Sequence, residues 1–319
     1  MSLRIGYIGA GSFTNSCMFP QLGRHGIELA AICDLDEGKA RLAQQRYGFR
    51  QVYTDFRRML ETEKPQAVFC VGGPKVHYEV GREVLDRGFP LYVQKSPAPS
   101  AAATKEMADL AAKRNVVCHV GFNIRSAPAV RRAREIVGSP EFGQPLMGLF
   151  RYGLCYGKTM FDVVMDQHCH MADLSRFFMG DVKTVKVIKS GIPEARDYVV
   201  AVGFESGAVG TINFTSGQIP EKEFTYFEVT GKGTFLSCHD CANLTWRRPF
   251  KGPWWKDPQA DYVFGHGSYG GDPRLETMGY VGDVANYLAA VKGEEKDASP
   301  IRSAIGTMEF CEEVLRQMA

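Results

Sequence analysis

Three groups of residues in this chain have types and spacings suited to chemistry. Asp166 and His170 stand four apart, so a helix brings them to one face, with Asp173 three residues further along it. A carboxylate beside an imidazole raises the ring's proton affinity and fixes its orientation. That suits removal of a hydroxyl proton while a hydride leaves the same carbon. Lys95 follows the apolar run Leu91–Val93. A cation at the carboxyl end of a parallel strand lies where open α/β sheets bind ligands, and it can polarise a reacting oxygen. The third group is Gly9-Ala10-Gly11-Ser12-Phe13-Thr14, directly after the apolar run Leu3–Ile8. Gly9 permits a tight turn and Gly11 lets backbone approach a pyrophosphate. The helix that starts at Ser12 and Phe13 then offers its free N–H groups to that anion. Asp34, twenty-five residues beyond Gly9, ends the next apolar run, where an acid can accept the hydroxyls of an adenosine ribose. A turn or a helix cap would also account for Asp34. Thr14 occupies the place of a third glycine, which predicts looser packing of helix on strand. Strand, Gly-x-Gly, helix, strand and acid in this order predict a dinucleotide site. Asp34 favours NAD, since a 2′-phosphate beside a carboxylate is repelled, while Lys39 and Arg41 nearby keep NADP possible.

The elements that must carry these groups alternate over the first 120 residues. Strand-like runs at Leu3–Ile8, Leu29–Cys33, Ala67–Val71, Leu91–Val93 and Val116–Val120 are separated by helical patterns at Asp36–Tyr47, Lys75–Asp86 and Ser100–Lys113. Gly48, Gly88 and Asn115 supply helix stops. Such alternation predicts an α/β fold with a parallel Rossmann sheet and right-handed crossovers. After Gly121 the pattern changes. An amphipathic stretch at Ala127–Val137 leads to Pro145–Tyr152 and a helix near Met165–Phe178. Runs at Val182–Lys189, Tyr198–Phe204, Ala208–Thr215, Phe224–Thr230 and Thr234–Cys238 follow, some joined by tight turns such as Glu205-Ser206-Gly207. Helices near Gly279–Val291 and Ile301–Met318 close the chain. The expected organisation is a dinucleotide-binding domain over 1–120 and an α+β domain over 121–319 with a large open, mostly antiparallel sheet.

A length of 319 residues favours two domains, and the formal charge of +2 is spread without long runs of one sign. No stripe suits nucleic acid, and no run approaches the ~18 apolar residues of a membrane span. The chain reads directly into a strand, with no signal-peptide core ahead of it. Nine cysteines at 17, 33, 70, 118, 155, 169, 238, 241 and 311, several in apolar runs, suggest packed thiols and a cytoplasmic setting. His168-Cys169-His170 and Cys238-His239-Asp240-Cys241 contain zinc-ligand types. A second Cys-x-x-Cys pair is missing, however, and His168 and His170 on a helix project about 200° apart. The expectation is no metal.

Several motifs resemble the dehydrogenases typified by glucose-fructose oxidoreductase and inositol 2-dehydrogenase (the Gfo/Idh/MocA family). Beyond the glycine turn, Pro74-Lys75-Val76-His77 is close to the family's Pro-x-x-x-His. Gln94-Lys95-Ser96-Pro97 stands for its Glu-Lys-Pro, with an amide for the acid and the proline displaced by one. Gly121-Phe122-Asn123-Ile124-Arg125-Ser126-Ala127-Pro128 matches Gly-aromatic-x-x-Arg-x-x-Pro. Asp166 to Asp173 matches Asp-x-x-x-His-x-x-Asp, and Gly279-Tyr280 with Asp283 is similar too. The resemblance implies catalysis by Lys95, Asp166 and His170. It implies a cofactor held by Gly9, Gly11, Ser12, Phe13, Asp34, Gly72, His77 and Lys95, with His77 as a positioning residue. The implied substrate is a sugar, cyclitol or related polyhydroxy compound contacting Lys95, Asp166, His170 and Arg125, unless Arg125 serves the interdomain linker instead. Asp173 reads as structural, pairing with Arg176 or another base. Aromatic residues Trp246, Trp254, Trp255, Tyr262, Phe264 and Tyr269, with His266, suit stacking on a sugar ring or an oligomer contact, and Asp257 and Asp272 read as loop charges. The open sheet predicts a homo-oligomer, a dimer or tetramer. Two alternatives stay open: a dinucleotide sensor without turnover, and an NADPH-dependent carbonyl reductase.

Overall fold

The computed structural model describes residues 2–153, 157–192, 195–216, 224–248, 261–265 and 273–319, with backbone only for 261–265 and 273. It divides into two units, Met1–Phe122 with Tyr280–Ile305, and Asn123–Gly279 with Gly306–Ala319.

In the first unit, β1 (Arg4–Ile8) leads through a π-helical turn (Thr14–Met18) into α1 (Phe19–Leu22). Then come β2 (Glu28–Cys33), α2 (Glu37–Tyr47), β3 (Gln51–Tyr53), α3 (Phe56–Glu63), β4 (Ala67–Cys70), α4 (Pro74–Asp86), β5 (Leu91–Gln94), α5 (Ala101–Arg114) and β6 (Cys118–Gly121). The six strands pair in parallel in the order β3-β2-β1-β4-β5-β6. The order reverses between β1 and β4, and the crevice there is where such sheets bind ligands. Strands β4, β5 and β6 are buried at every residue, as a sheet covered on both faces requires. Asp36, Asp55 and Ser100 cap the starts of α2, α3 and α5, and Gly48 and Asn115 end α2 and α5 in the left-handed region. β3 and α3 went unread in the sequence. β3 is three residues long and only partly buried, so it leaves almost no periodic signal.

The second unit opens with α6 (Pro128–Val137), β7 (Met147–Gly153), α7 (Met160–Val163), a π-helical turn (Val164–His168) and α8 (Cys169–Met179). It continues through β8 (Val182–Lys189), β9 (Tyr198–Phe204), β10 (Val209–Thr215), β11 (Phe224–Gly231), β12 (Thr234–His239), β13 (Asn243–Arg247), β14 (Asp261–Gly265) and α9 (Pro273–Thr277). Eight strands form one sheet in the order β14-β13-β12-β11-β7-β10-β9-β8, antiparallel except where β10 meets β7. β14 falls in a stretch that shows no periodicity. Burial alternates along the sheet's inner strands. Phe150, Tyr152, Ile212, Phe214, Phe227 and Val229 point into the core. Met147, Leu149, Val199 and Val209 share the opposite face and are 36–54% exposed.

The expected division at residue 120 differs from the observed one in its treatment of α10 (Tyr280–Lys292) and the residues after it as far as Ile305, which belong to the Rossmann unit. Tyr287 explains why. Its ring is fully buried against Phe69 and Tyr92, and its hydroxyl donates to the Val68 carbonyl at 3.2 Å. Further on, Val120 N–H donates to the Ser299 carbonyl, so the returning chain covers the edge of β6. The last helix, α11 (Ile301–Met318), passes from the first unit to the second after Ile305.

Candidate functional site

Gly9 has φ +101°, and a Cβ there would overlap the Val71 carbonyl, so the turn after β1 demands glycine. Gly11 differs. Nothing lies within 4 Å of the place its Cβ would take, so the protein's own packing does not require a glycine there. Its bareness leaves open space over the start of the helix, the fit a pyrophosphate needs. Thr14 is buried, and the helix widens into a π turn at that residue. Phe13 packs against Tyr280 with ring centroids 5.9 Å apart, and Ser12 is exposed.

Asp34 clasps this turn. One carboxylate oxygen accepts Ala10 N–H at 2.7 Å, and the other accepts Asp36 N–H at 2.9 Å. The helix cap is Asp36, not Asp34. A carboxylate has about four acceptor positions, so both oxygens keep capacity for ribose hydroxyls. Lys39 and Arg41 pair with Asp36 and Glu37.

On the other side of the switch point, His77 on α4 is fully buried. Its Nε2 accepts Gly72 N–H at 2.9 Å, so its Nδ1 carries the hydrogen and donates to the Ser96 carbonyl at 2.8 Å. The ring therefore ties the loop after β4 to the loop after β5. Lys95 is half-buried where β5 ends, and its N–H donates to Gln94 Oε1 at 3.3 Å.

Sequence reasoning did not see what lies behind Lys95. Gln94 Nε2 donates to the Tyr92 hydroxyl at 2.8 Å, and Tyr92 donates to Asp283 Oδ2 at 2.7 Å. His119 Nε2 meets Asp283 Oδ1 at 3.1 Å and its Nδ1 meets Asp297 Oδ1 at 2.7 Å. Burial pulls the proton affinity of His119 down, but the two carboxylates outweigh it and raise the pKa to about 9. A histidine inside an apolar strand was the one available signal.

In the second unit, the helix predicted near Met165–Phe178 is α-helical only from Cys169. Cys169 N–H reaches back to the Val164 carbonyl, so the turn carrying Asp166 is wider by one residue. Asp166 is half-buried and His170 is 8% exposed, its ring 6.4 Å from that of Tyr152. His168 faces the core. Its Nδ1 bonds the Tyr198 hydroxyl at 2.6 Å and its ring stacks on Phe214 at 4.1 Å. Asp173 takes Arg125 as its base: Arg125 Nε donates to Asp173 Oδ2 at 2.6 Å and Nη2 to Oδ1, with both residues buried. Thr307 donates to the same carboxylate at 3.0 Å and receives Arg176 Nη1 at 2.8 Å. Arg176 pairs with Asp181 rather than Asp173.

Cys238-His239-Asp240-Cys241 forms a hairpin. Asp240 and Cys241 have φ of 51° and 55°, and Ala242 N–H donates to the His239 carbonyl, closing a two-residue turn between β12 and β13. Burial pushes the Cys238 thiol up to about 12. Among the described residues, no three His, Cys, Asp or Glu side chains gather as a metal site requires. Among the described residues, eight cysteines are buried thiols outside any disulfide. Cys155, Trp254, Trp255, Asp257, His266, Tyr269 and Asp272 lie outside the described residues, as do the side chains of Tyr262 and Phe264. Trp246 is a buried core residue whose Nε1 donates to Thr234 Oγ1 at 2.9 Å. No helix among the described residues is long and apolar enough to cross a membrane.

Residues 3–122 match the model of an oxidoreductase family with an NAD-binding Rossmann fold (GFO_IDH_MocA). The chain is 30% identical over 143 residues to D-glucoside 3-dehydrogenase of Escherichia coli K12, an alignment covering 44% of this chain and 41% of that protein. A dehydrogenase structure from Chromobacterium violaceum superposes with a TM-score of 0.89 at 21% identity, covering 99% of this chain and 95% of the other. Levoglucosan dehydrogenase in complex with NADH and levoglucosan superposes with a TM-score of 0.85 at 16% identity, covering 99% and 97%. At these identities the two structures establish a shared fold.

Proposed function

Because the N-terminal part of this chain belongs to the NAD-binding Gfo/Idh/MocA oxidoreductase family, we propose that the protein is a dehydrogenase. In this reading it moves a hydride between NAD and a hydroxyl-bearing carbon of a sugar, cyclitol or related polyhydroxy compound. The observation that carries the reading is the clasp of Asp34 on a glycine turn left open at Gly11, together with a half-buried lysine at the end of β5. The family's NAD-binding domain and a relative that is a sugar-glycoside dehydrogenase support it, and they do not favour a sensor without turnover.

NAD, when bound, supplies the hydride acceptor. Gly9, Gly11, Ser12 and Phe13 would hold its pyrophosphate at the helix start, and Asp34 its adenosine ribose. Gly72 and His77 would shape the nicotinamide side of the crevice. Lys95 polarises the reacting oxygen and holds the hydroxyl in place. His170 takes the hydroxyl proton, and Asp166 stabilises the imidazolium that results. Arg125 acts through Asp173, fixing α8 and with it His170, rather than through the substrate.

The exposed row Met147, Leu149, Val199 and Val209, continuing into Tyr226 and Glu228 across the sheet, is the surface through which a dimer or tetramer would form. Eight buried thiols outside any disulfide suit a reducing, cytoplasmic compartment. The test is a turnover screen of sugars, inositols and sugar acids with NAD and NADP, following absorbance of the reduced cofactor. Turnover with NAD that falls in Asp34→Ala supports the reading. No turnover with any substrate class, or tighter binding of NADP than NAD, counts against it.

A further inference from the structure

We propose that Gln94, Tyr92 and Asp283 are positioning residues for Lys95, and that the direction of their hydrogen bonds requires an amide, not a carboxylate, at position 94. The inference rests on the dehydrogenase reading for the role of Lys95. Residues 92 and 94 lie two apart on β5, so both side chains leave the same face of the sheet, and both are buried, Tyr92 fully and Gln94 at 3% exposure. Gln94 Nε2 also reaches Met18 Sδ at 3.7 Å, so both its amide hydrogens point into the cluster. The Tyr92 hydroxyl gives its one hydrogen to Asp283, so its oxygen can only accept from Gln94. Asp283 also accepts from His119, whose other N–H goes to Asp297, and Asp297 accepts Ser299 N–H at 2.9 Å. With Nε2 committed to Tyr92, the Gln94 carbonyl oxygen is turned toward Lys95 N–H.

A glutamate at 94 would set an acceptor against an oxygen that has no hydrogen left to offer. It would also bury a second carboxylate near Asp283. The departure from Glu-Lys-Pro is thus matched by its surroundings. Gly121, paired with Gln94 across β5 and β6, completes the fit, since a Cβ there would come within 2.5 Å of the Tyr92 hydroxyl and 2.7 Å of Gln94 Nε2. The returning helix α10 therefore sets the backbone from which Lys95 projects.

The full-length protein tests this with Gln94→Glu at pH 8. We expect kcat to fall by about 10-fold or more with KM and NAD affinity held within about 3-fold, and the Lys95 amide to exchange with solvent about 10-fold faster. Adding Asp283→Asn reverses the chain. The new amide donates to the Tyr92 oxygen and accepts from His119, while the Tyr92 hydroxyl turns to the new carboxylate. Restoration of kcat and of amide protection in the double variant supports the proposal. A Gln94→Glu enzyme with normal kcat, or a double variant no better than the single, overturns it. Should Gln94→Glu fail to fold, Gln94→Met keeps the volume and removes the bonds, and a normal kcat there overturns the proposal equally. A wild-type protein that oxidises no polyhydroxy substrate would defeat the dehydrogenase reading alone, because Lys95 amide exchange reads the positioning without turnover.

Discussion

Replacing His119 by glutamine should remove a loss of stability that the wild-type protein shows between pH 6.5 and 9. In the unfolded chain this imidazole titrates near 6.5; in the folded protein, burial is outweighed by Asp283 and Asp297 and the pKa stands at about 9. The folded value lies above the unfolded one, so the stabilisation is complete below 6.5 and is lost as pH rises through 9. At about 1.36 kcal/mol per pH unit, the gap amounts to ~3 kcal/mol, a large part of the roughly 5–15 kcal/mol that hold a domain folded. The buried thiols do not blur this window. Cys33, Cys70 and Cys238 are pushed up by burial to about 12 from an ordinary 9, so their own loss sets in as pH nears 9, but it is common to wild type and variant and cancels in the difference. Urea unfolding at half-unit steps from pH 6 to 10 measures the effect. Wild type should decline by ~3 kcal/mol relative to His119→Gln across the window, the two curves converging near pH 9.5. Parallel curves would refute the reasoning, because they would mean that His119 carries no extra proton in the folded state.

Gly9→Ala should weaken NAD binding by more than ~10-fold by calorimetry, since the turn has φ +101° and the added methyl strikes the Val71 carbonyl; near-normal affinity would separate the turn from the cofactor. His170→Ala should cut turnover by ~10² or more while Tm and NAD affinity hold, whereas loss of folding along with activity would make His170 a core residue. Arg125→Met strands the buried Asp173 carboxylate and should cost about 3–5 kcal/mol in urea unfolding. Arg125→Met with Asp173→Leu should recover most of that, and a double variant as unstable as the single would show that the pair does more than neutralise charge.

Much of the Rossmann unit was legible from residues alone because its signals are local. Apolar strands of four to six residues, caps such as Asp36 and Ser100, and stops such as Gly48 and Asn115 act within a few positions of chain. The alternation after Gly121 was equally plain, since one face of the large sheet is buried and the other is not. The glycine turn followed by an acid was legible for the same reason. What residue order could not decide was how distant parts satisfy one another. Asp283 reads as one acid on a C-terminal helix, yet folding sets it between Tyr92 and His119, 191 and 164 positions away. Arg125 reads equally as a substrate contact or a linker residue, and its spacing gives no hint that its guanidinium meets Asp173. Cys238 to Cys241 sets ligand types in a row, and only the fold shows Asp240 and Cys241 in left-handed backbone at a hairpin turn. For Asp283 and for Arg125 with Asp173, the deciding energy is the cost of burying a charge or polar group without a partner. That cost is settled only when the tertiary fold brings the partner in, and no local pattern of types and spacings records it.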